Sequence, residues 1–241
     1  MKIKYFGTAA SEGVPAIFCN CDVCRRSREA GGRNIRSRSQ ALIDDSILVD
    51  FNADSVMHYQ KYLYDWNKID TCLVTHSHSD HLYAEDILIA RRDYTHGNET
   101  VLNYYADRAS YDIIERTMKG AGERAHMDEV AKVHLIVPGE AFDVGKYHIL
   151  PLRANHAADS DPVIYAISDG EKKLLYGNDS GWFFDETWEG LKEFGKFDLV
   201  SLDCTAALLT GWRKSHLGYD TCLETIEKMK ETVNAVFGEC E

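Results

Sequence analysis

Thr75-His76-Ser77-His78-Ser79-Asp80-His81 is the stretch that decides how this chain is to be read. It follows Thr71-Cys72-Leu73-Val74-Thr75, a short β-favouring run, so the histidines open where a buried strand stops. His76, His78 and Asp80 alternate by two, and a strand that runs on briefly projects them to one side, with a turn after Asp80 bringing in His81. Metal-type ligands then converge from a single short segment. Imidazole nitrogen mixed with carboxylate oxygen suits zinc, manganese or iron. A lone histidine is ordinarily a satisfied core or surface residue, but packing does not account for a cluster this dense.

Such a cluster needs ligands from elsewhere, and two later strand ends offer them. Asn155-His156 follows Leu150-Pro151-Leu152, and Gly177-Asn178-Asp179-Ser180 follows Leu174-Leu175-Tyr176. Taken alone, His156 is an ordinary loop histidine and Asp179 an ordinary turn former; the cluster gives them their value. Cys19, Cys21 and Cys24 form a separate group. Thiolates at Cys-x-Cys-x-x-Cys spacing can wrap one tetrahedral zinc; the alternative is three buried or surface thiols.

Around these residues the chain alternates strand and helix signals. Lys2 to Phe6 reads as a strand, followed by a loop through the cysteines and arginines to about Ser39. Ala41 to Ile43 and Ile47 to Phe51 flank Asp44-Asp45-Ser46 as a hairpin. Asp54 to Trp66 has helical spacing. Further strands are expected at 101–105, 133–137, 147–152, 163–168, 173–176 and 199–202, with helices at 109–118, 186–194 and 221–232. Hairpin-like pairs rather than strict β-α alternation disfavour a doubly wound sheet, and two packed sheets with helices outside fit better. No linker or repeat cuts the chain, so a single domain over 1–241 is expected, with residues 7–40 as a zinc-binding loop insertion within it.

The 241 residues carry 39 acidic against 27 basic side chains, a net charge of -12 that opposes binding of nucleic acid and of anionic membrane. The exception is Arg25, Arg26, Arg28, Arg33, Arg36 and Arg38, which read either as a solvated loop face or as a rim that steers phosphate. No signal-peptide-like segment and no apolar run of membrane-spanning length is present, and the cysteine count is odd, so a reduced, cytoplasmic setting is expected.

The order His-x-His-x-Asp-His, later His, later Asp resembles the metallo-β-lactamase superfamily, which implies an α/β (α+β) fold, a four-layered αββα sandwich of two mixed sheets flanked by helices. By that resemblance His76, His78 and His156 hold one metal, Asp80 and His81 reach a second, and Asp179 bridges the two. Gly7-Thr8 with Ser11-Glu12-Gly13-Val14-Pro15 and Cys19-Asn20-Cys21-Asp22-Val23-Cys24 is similar to the PhnP-like phosphodiesterase branch, where the cysteines bind a structural zinc together with one histidine. His216, in Lys214-Ser215-His216-Leu217-Gly218, matches an element that in that branch acts as a general acid or contacts phosphate; a surface-loop histidine is the other reading. The expected activity is hydrolysis of a small cyclic or sugar-linked phosphodiester by a metal-bridging hydroxide, with Asp80, Asp179 and His216 as the catalytic set. A tRNA 3′-end nuclease and a metal-containing sensor without turnover are the rivals. Relatives imply a homodimer. The superfamily also closes its second metal site with a histidine after a last strand. Asn234-Ala235-Val236-Phe237 reads as that strand, yet no histidine follows His216, so a chain cut short of its natural end is expected, the alternative being completion by water or other groups.

Overall fold

The computed structural model describes residues 1–97, 99–158 and 160–233, and these divide into two compact units, Lys2–Leu135 and the segment from Ile136 onward with Met1. The last-strand expectation at 234–237 lies outside the described residues.

In the first unit, strands β1 (Ile3–Gly7), β2 (Gln40–Ile43), β3 (Ile47–Val49), β4 (Thr71–Leu73), β5 (Leu102–Ala106) and β6 (Ala131–Leu135) form one sheet in chain order. The β2–β3 hairpin forms as expected. Asp44 and Asp45 take left-handed backbone angles of 47° and 59°, which a tight hairpin turn requires and which a short polar side chain tolerates. From β3 onward the pairing is parallel, and parallel neighbours need a crossover. Helix α2 (Ser55–Tyr62) lies in the crossover between β3 and β4, and helix α3 (Arg108–Gly120) in that between β5 and β6. Thr71, Cys72 and Leu73 are all buried, so β4 shows no alternation, as expected of a strand covered on both faces. Leu48, Phe51, Cys72, Val74, Tyr104 and Ile114 are among the residues of the core on one side of this sheet.

Three sequence readings are corrected here. Asp22–Ala30 is a helix, α1, where a loop was expected. Along it only Cys24 and Ser27 are buried, so no apolar stripe announced it. Helix α2 stops at Tyr62, because Leu63 turns into the left-handed region and closes the helix there. The strand before the histidines also stops early, at Leu73. Residues 79–81 form a turn closed by the His81 and Leu82 amides on the His78 carbonyl, so His76, His78 and Asp80 do not share a strand face.

In the second unit, β7 (Phe142–Val144), β8 (Tyr147–Arg153), β9 (Val163–Ser168), β10 (Lys173–Gly177) and β11 (Leu199–Leu202) pair in the order β11-β10-β9-β8-β7. Only β10–β11 is parallel, and helix α4 (Asp185–Phe194) makes its crossover. The three-residue β7 carried too little pattern to be read from sequence. Helix α5 (Tyr219–Val233) buries Thr221, Cys222, Thr225, Met229 and Val233, the three-to-four spacing of one helical face. Leu152, Ile164, Leu175, Trp188, Leu191 and Phe197 belong to the core that it joins. Two mixed sheets flanked by helices make the α+β fold that the metallo-β-lactamase sandwich requires. Among the described residues no helix is long and apolar enough to cross a membrane.

Candidate metal centre

Each unit gathers its chemistry at the carboxyl ends of parallel strands, where the backbone stops pairing and side chains of neighbouring strands meet. In the first unit the register Val49↔Leu73 sets the end of β3 beside the end of β4. Asp50 follows β3 with a left-handed φ of 67°, and its fully buried carboxylate faces the segment that follows β4. One oxygen accepts the Thr75 amide at 2.8 Å and the Thr75 hydroxyl at 2.9 Å, and the other accepts His81 Nδ1 at 2.6 Å. Burial pushes the Asp50 carboxyl up, while His81 and Thr75 pull against that shift. His81 therefore turns Nε2 away from Asp50, still buried, to 3.5 Å from an Asp80 oxygen. A carboxylate on one ring nitrogen that orients the other is the usual support of a histidine that binds metal.

His76 and His81 are buried and lie ring to ring at 4.3 Å, and His76 Nε2 faces His78 Nδ1 at 3.0 Å. The structure thus brings His76, His78, Asp80 and His81 together, by a turn rather than by strand alternation. Asp50 was not picked out from the sequence. The signal available was its place directly after an apolar strand, the same signal that drew attention to Asp179.

In the second unit the parallel pair β10–β11 repeats the device. Asp179, with a left-handed φ of 50°, follows β10, and Asp203 follows β11. His216 donates Nδ1–H to Asp203 at 2.8 Å, and the same nitrogen lies 3.7 Å from an Asp179 oxygen. Asp203 is buried and also accepts the Thr205 amide at 2.7 Å, so its orientation is fixed. Ligand atoms of Asp179, Asp203 and His216 lie within 4.8 Å of one another. His156 donates Nδ1–H to the Ser215 carbonyl at 2.9 Å, and its ring meets that of His216 at 4.9 Å. Gly181 allows the loops to approach. The Gly181 amide bonds the Asn155 carbonyl and the Trp182 amide the Arg213 carbonyl, and a Cβ on Gly181 would sit 2.1 Å from the Arg213 carbonyl oxygen. His156, Asp179 and His216 are brought together, and Asp203 is the residue that sequence reasoning missed.

The third group sits in the first unit. Sulfur atoms of Cys19, Cys21 and Cys24 lie within 4.8 Å of one another. Cys21 caps the N-terminus of α1, and the Cys24 amide together with the Cys19 and Cys24 thiols brings its thiol down to about 7. None of the three is in a disulfide. The arginine run turns out to brace this loop. Arg28 donates to the Cys19 carbonyl and to Asn20, Arg25 to the Asn20 carbonyl and Asp22, and Arg38 to Asp54 and the Ser11 carbonyl. Arg26, Arg33 and Arg36 are exposed.

Fold and clustered donor groups together are of the metallo-β-lactamase type. The chain belongs to the beta-lactamase superfamily, whose domain matches residues 46–237. Among solved structures it is similar to a diphosphatase from the PhnP family, with 20% identity and a TM-score of 0.67 over 97% of this chain and 82% of that one. Zn(2+)-bound PqqB from Methylobacterium extorquens is 17% identical at a TM-score of 0.65 over 90% of this chain and 80% of that one. Human tRNase Z, short form, is 17% identical at 0.65 over 98% of this chain and 90% of that one. An octanoyltransferase from Porphyromonas gingivalis is 28% identical over 163 residues, 65% of this chain; the match spans 31% of that protein's length.

Proposed function

We propose that the protein is a metal-dependent phosphodiesterase acting on a small cyclic or sugar-linked phosphodiester. The observation that carries the reading is the Asp203–His216 pair beside Asp179. A histidine whose Nδ1 is held by a buried carboxylate has one tautomer when neutral, which makes Nε2 the nitrogen that would exchange a proton with substrate. His216 would give that proton to the departing oxygen of the ester, and Asp203 would steady the imidazolium form between turnovers.

The donor atoms fit divalent metals. His76, His78, Asp80, His81, His156 and Asp179 are the proposed catalytic ligands, and their mixture of imidazole and carboxylate suits zinc, manganese or iron. When bound, a pair of such ions supplies Lewis acidity that activates water and offsets the charge building on the phosphoryl oxygens. Asp50 fixes the His81 ring, and the Ser215 carbonyl fixes that of His156, so each ligand is oriented before metal arrives. Cys19, Cys21 and Cys24 are the proposed ligands of a separate structural zinc. We read both units as one catalytic domain, because the family match runs through both.

The likeness to human tRNase Z favours a tRNA 3′-end nuclease as the second reading, and the net charge of -12 speaks against it. Turnover of bis(p-nitrophenyl) phosphate by metal-loaded protein, abolished by His78→Ala and by Asp179→Ala, is the expected result. Cleavage of precursor tRNA without turnover of small diesters would favour the nuclease. No metal-dependent turnover of any phosphodiester would leave a binding or sensor protein.

A further inference from the structure

A polar chain, buried except at its Ser37 end, runs through the first unit to the strand end that carries Asp50. The Gln40 side-chain nitrogen lies 2.9 Å from the Asp50 carbonyl and 2.8 Å from Ser55 Oγ, so both of its protons are committed. Ser55 in turn donates to the Asn52 carbonyl at 2.6 Å. Gln40 Oε1 is left as an acceptor, and His58 Nδ1 approaches it at 2.6 Å and must carry the proton. His58 Nε2 then accepts the Ser37 hydroxyl at 2.6 Å. With the imidazole neutral, one assignment of donors serves these contacts, the Ser37 proton going to His58 rather than to the Phe6 carbonyl 3.4 Å away, and Gln40, Asp50 and His58 are each 0% exposed.

The chain ends where it matters. Asp50 occupies a left-handed backbone position, an unfavourable one for a residue with a Cβ unless its surroundings over-determine it. Its amide is held by the Leu73 carbonyl at 2.8 Å, and its own carbonyl is held by Gln40. Fixing both peptide groups fixes the direction of the carboxylate that grips His81 at 2.6 Å.

We propose that Gln40 and His58 are positioning residues for the metal cluster, acting through the backbone of Asp50 on the orientation of His81. This rests on the reading of His81 as a metal ligand. His58 supplies the donor that keeps the Gln40 amide from flipping. A flipped amide would set its oxygen against the Asp50 carbonyl and turn the strand end.

The test uses the whole chain, with Co(II) as the probe and the Nδ1–H resonance of His81 as a metal-free readout. In Gln40→Met, which keeps length but removes the amide, that resonance should shift or broaden, and Co(II) should bind about tenfold more weakly, as for loss of a ligand's outer support. His58→Phe should behave alike, and His58→Asn, which restores a donor at the Nδ1 position, should recover most of the loss. Unchanged resonance and Co(II) affinity in folded Gln40→Met and His58→Phe would overturn the proposal. If Gln40→Met does not fold, Ser55→Ala serves in its place, since it removes one anchor of the same amide, and an unmoved His81 resonance there overturns the proposal equally. Co(II) spectra identical in wild type and His81→Ala would instead sink the metal reading. The resonance comparison would still decide whether Gln40 and His58 position His81.

Discussion

The buried imidazole of His58 makes the stability of the first unit depend on pH. It is 0% exposed, and burial pulls its pKa from the ordinary 6.5 down to about 4. Above pH 6.5 the ring is neutral in both folded and unfolded chains, and nothing is lost. Between about 6.5 and 4 the unfolded chain takes up a proton that the folded chain refuses, so stability falls as pH falls through that window. Each unit of separation corresponds to about 1.4 kcal/mol, so lowering the pH from 7 to 4.5 should remove about 2.5 kcal/mol through this residue. Urea unfolding of chelator-treated protein at steps between those values isolates the effect when wild type and His58→Asn are compared. The variant loses the hydrogen bond to Ser37 and starts less stable at pH 7. Its deficit should then shrink by about 2.5 kcal/mol towards pH 4.5, because asparagine has no proton to refuse. Parallel curves, with a gap constant across the range, would refute the argument: His58 would then be protonated in the folded state, or exposed to water by a route the structure does not contain.

The other sites give sharper chemical tests. Asp50→Asn should keep the fold but lower affinity for zinc at the histidine cluster by about 10- to 100-fold in a competition titration, and unchanged affinity would show that His81 needs no carboxylate support. Soaking with manganese should leave zinc on Cys19, Cys21 and Cys24, since thiolates favour zinc, and a disulfide between any two of them in reduced, metal-replete protein counts against a site there. His216→Ala should slow an alkyl phosphodiester much more than a p-nitrophenyl ester, whose leaving group needs no proton; equal losses would point to binding or structure. Gly181→Ala forces a Cβ against the Arg213 carbonyl and should cost about 1–3 kcal/mol in thermal or urea unfolding, so a variant as stable as wild type would mean the loops part easily.

Sequence periodicity by itself determined the elements whose faces are buried. The β2–β3 hairpin, strands β8 to β11 and helices α3 to α5 fall close to where alternation or helical spacing sets them, because a buried face imposes its own period on the chain. It also singled out His76, His78, Asp80 and His81, since so many ionisable groups in one short segment have no packing explanation. Helix α1 escaped because it buries little, and periodicity reports burial rather than backbone conformation. Only the tertiary structure could show that His76 to His81 are gathered by a turn and not by a strand face, because the end of β4 is set by where its neighbours stop pairing. Only it could join Asp50 to His81 and Asp203 to His216, residues 31 and 13 positions apart. A local period says which side of an element meets the core; which carboxylate meets which imidazole depends on the register between parallel strands, and that register is fixed by contacts distant in sequence.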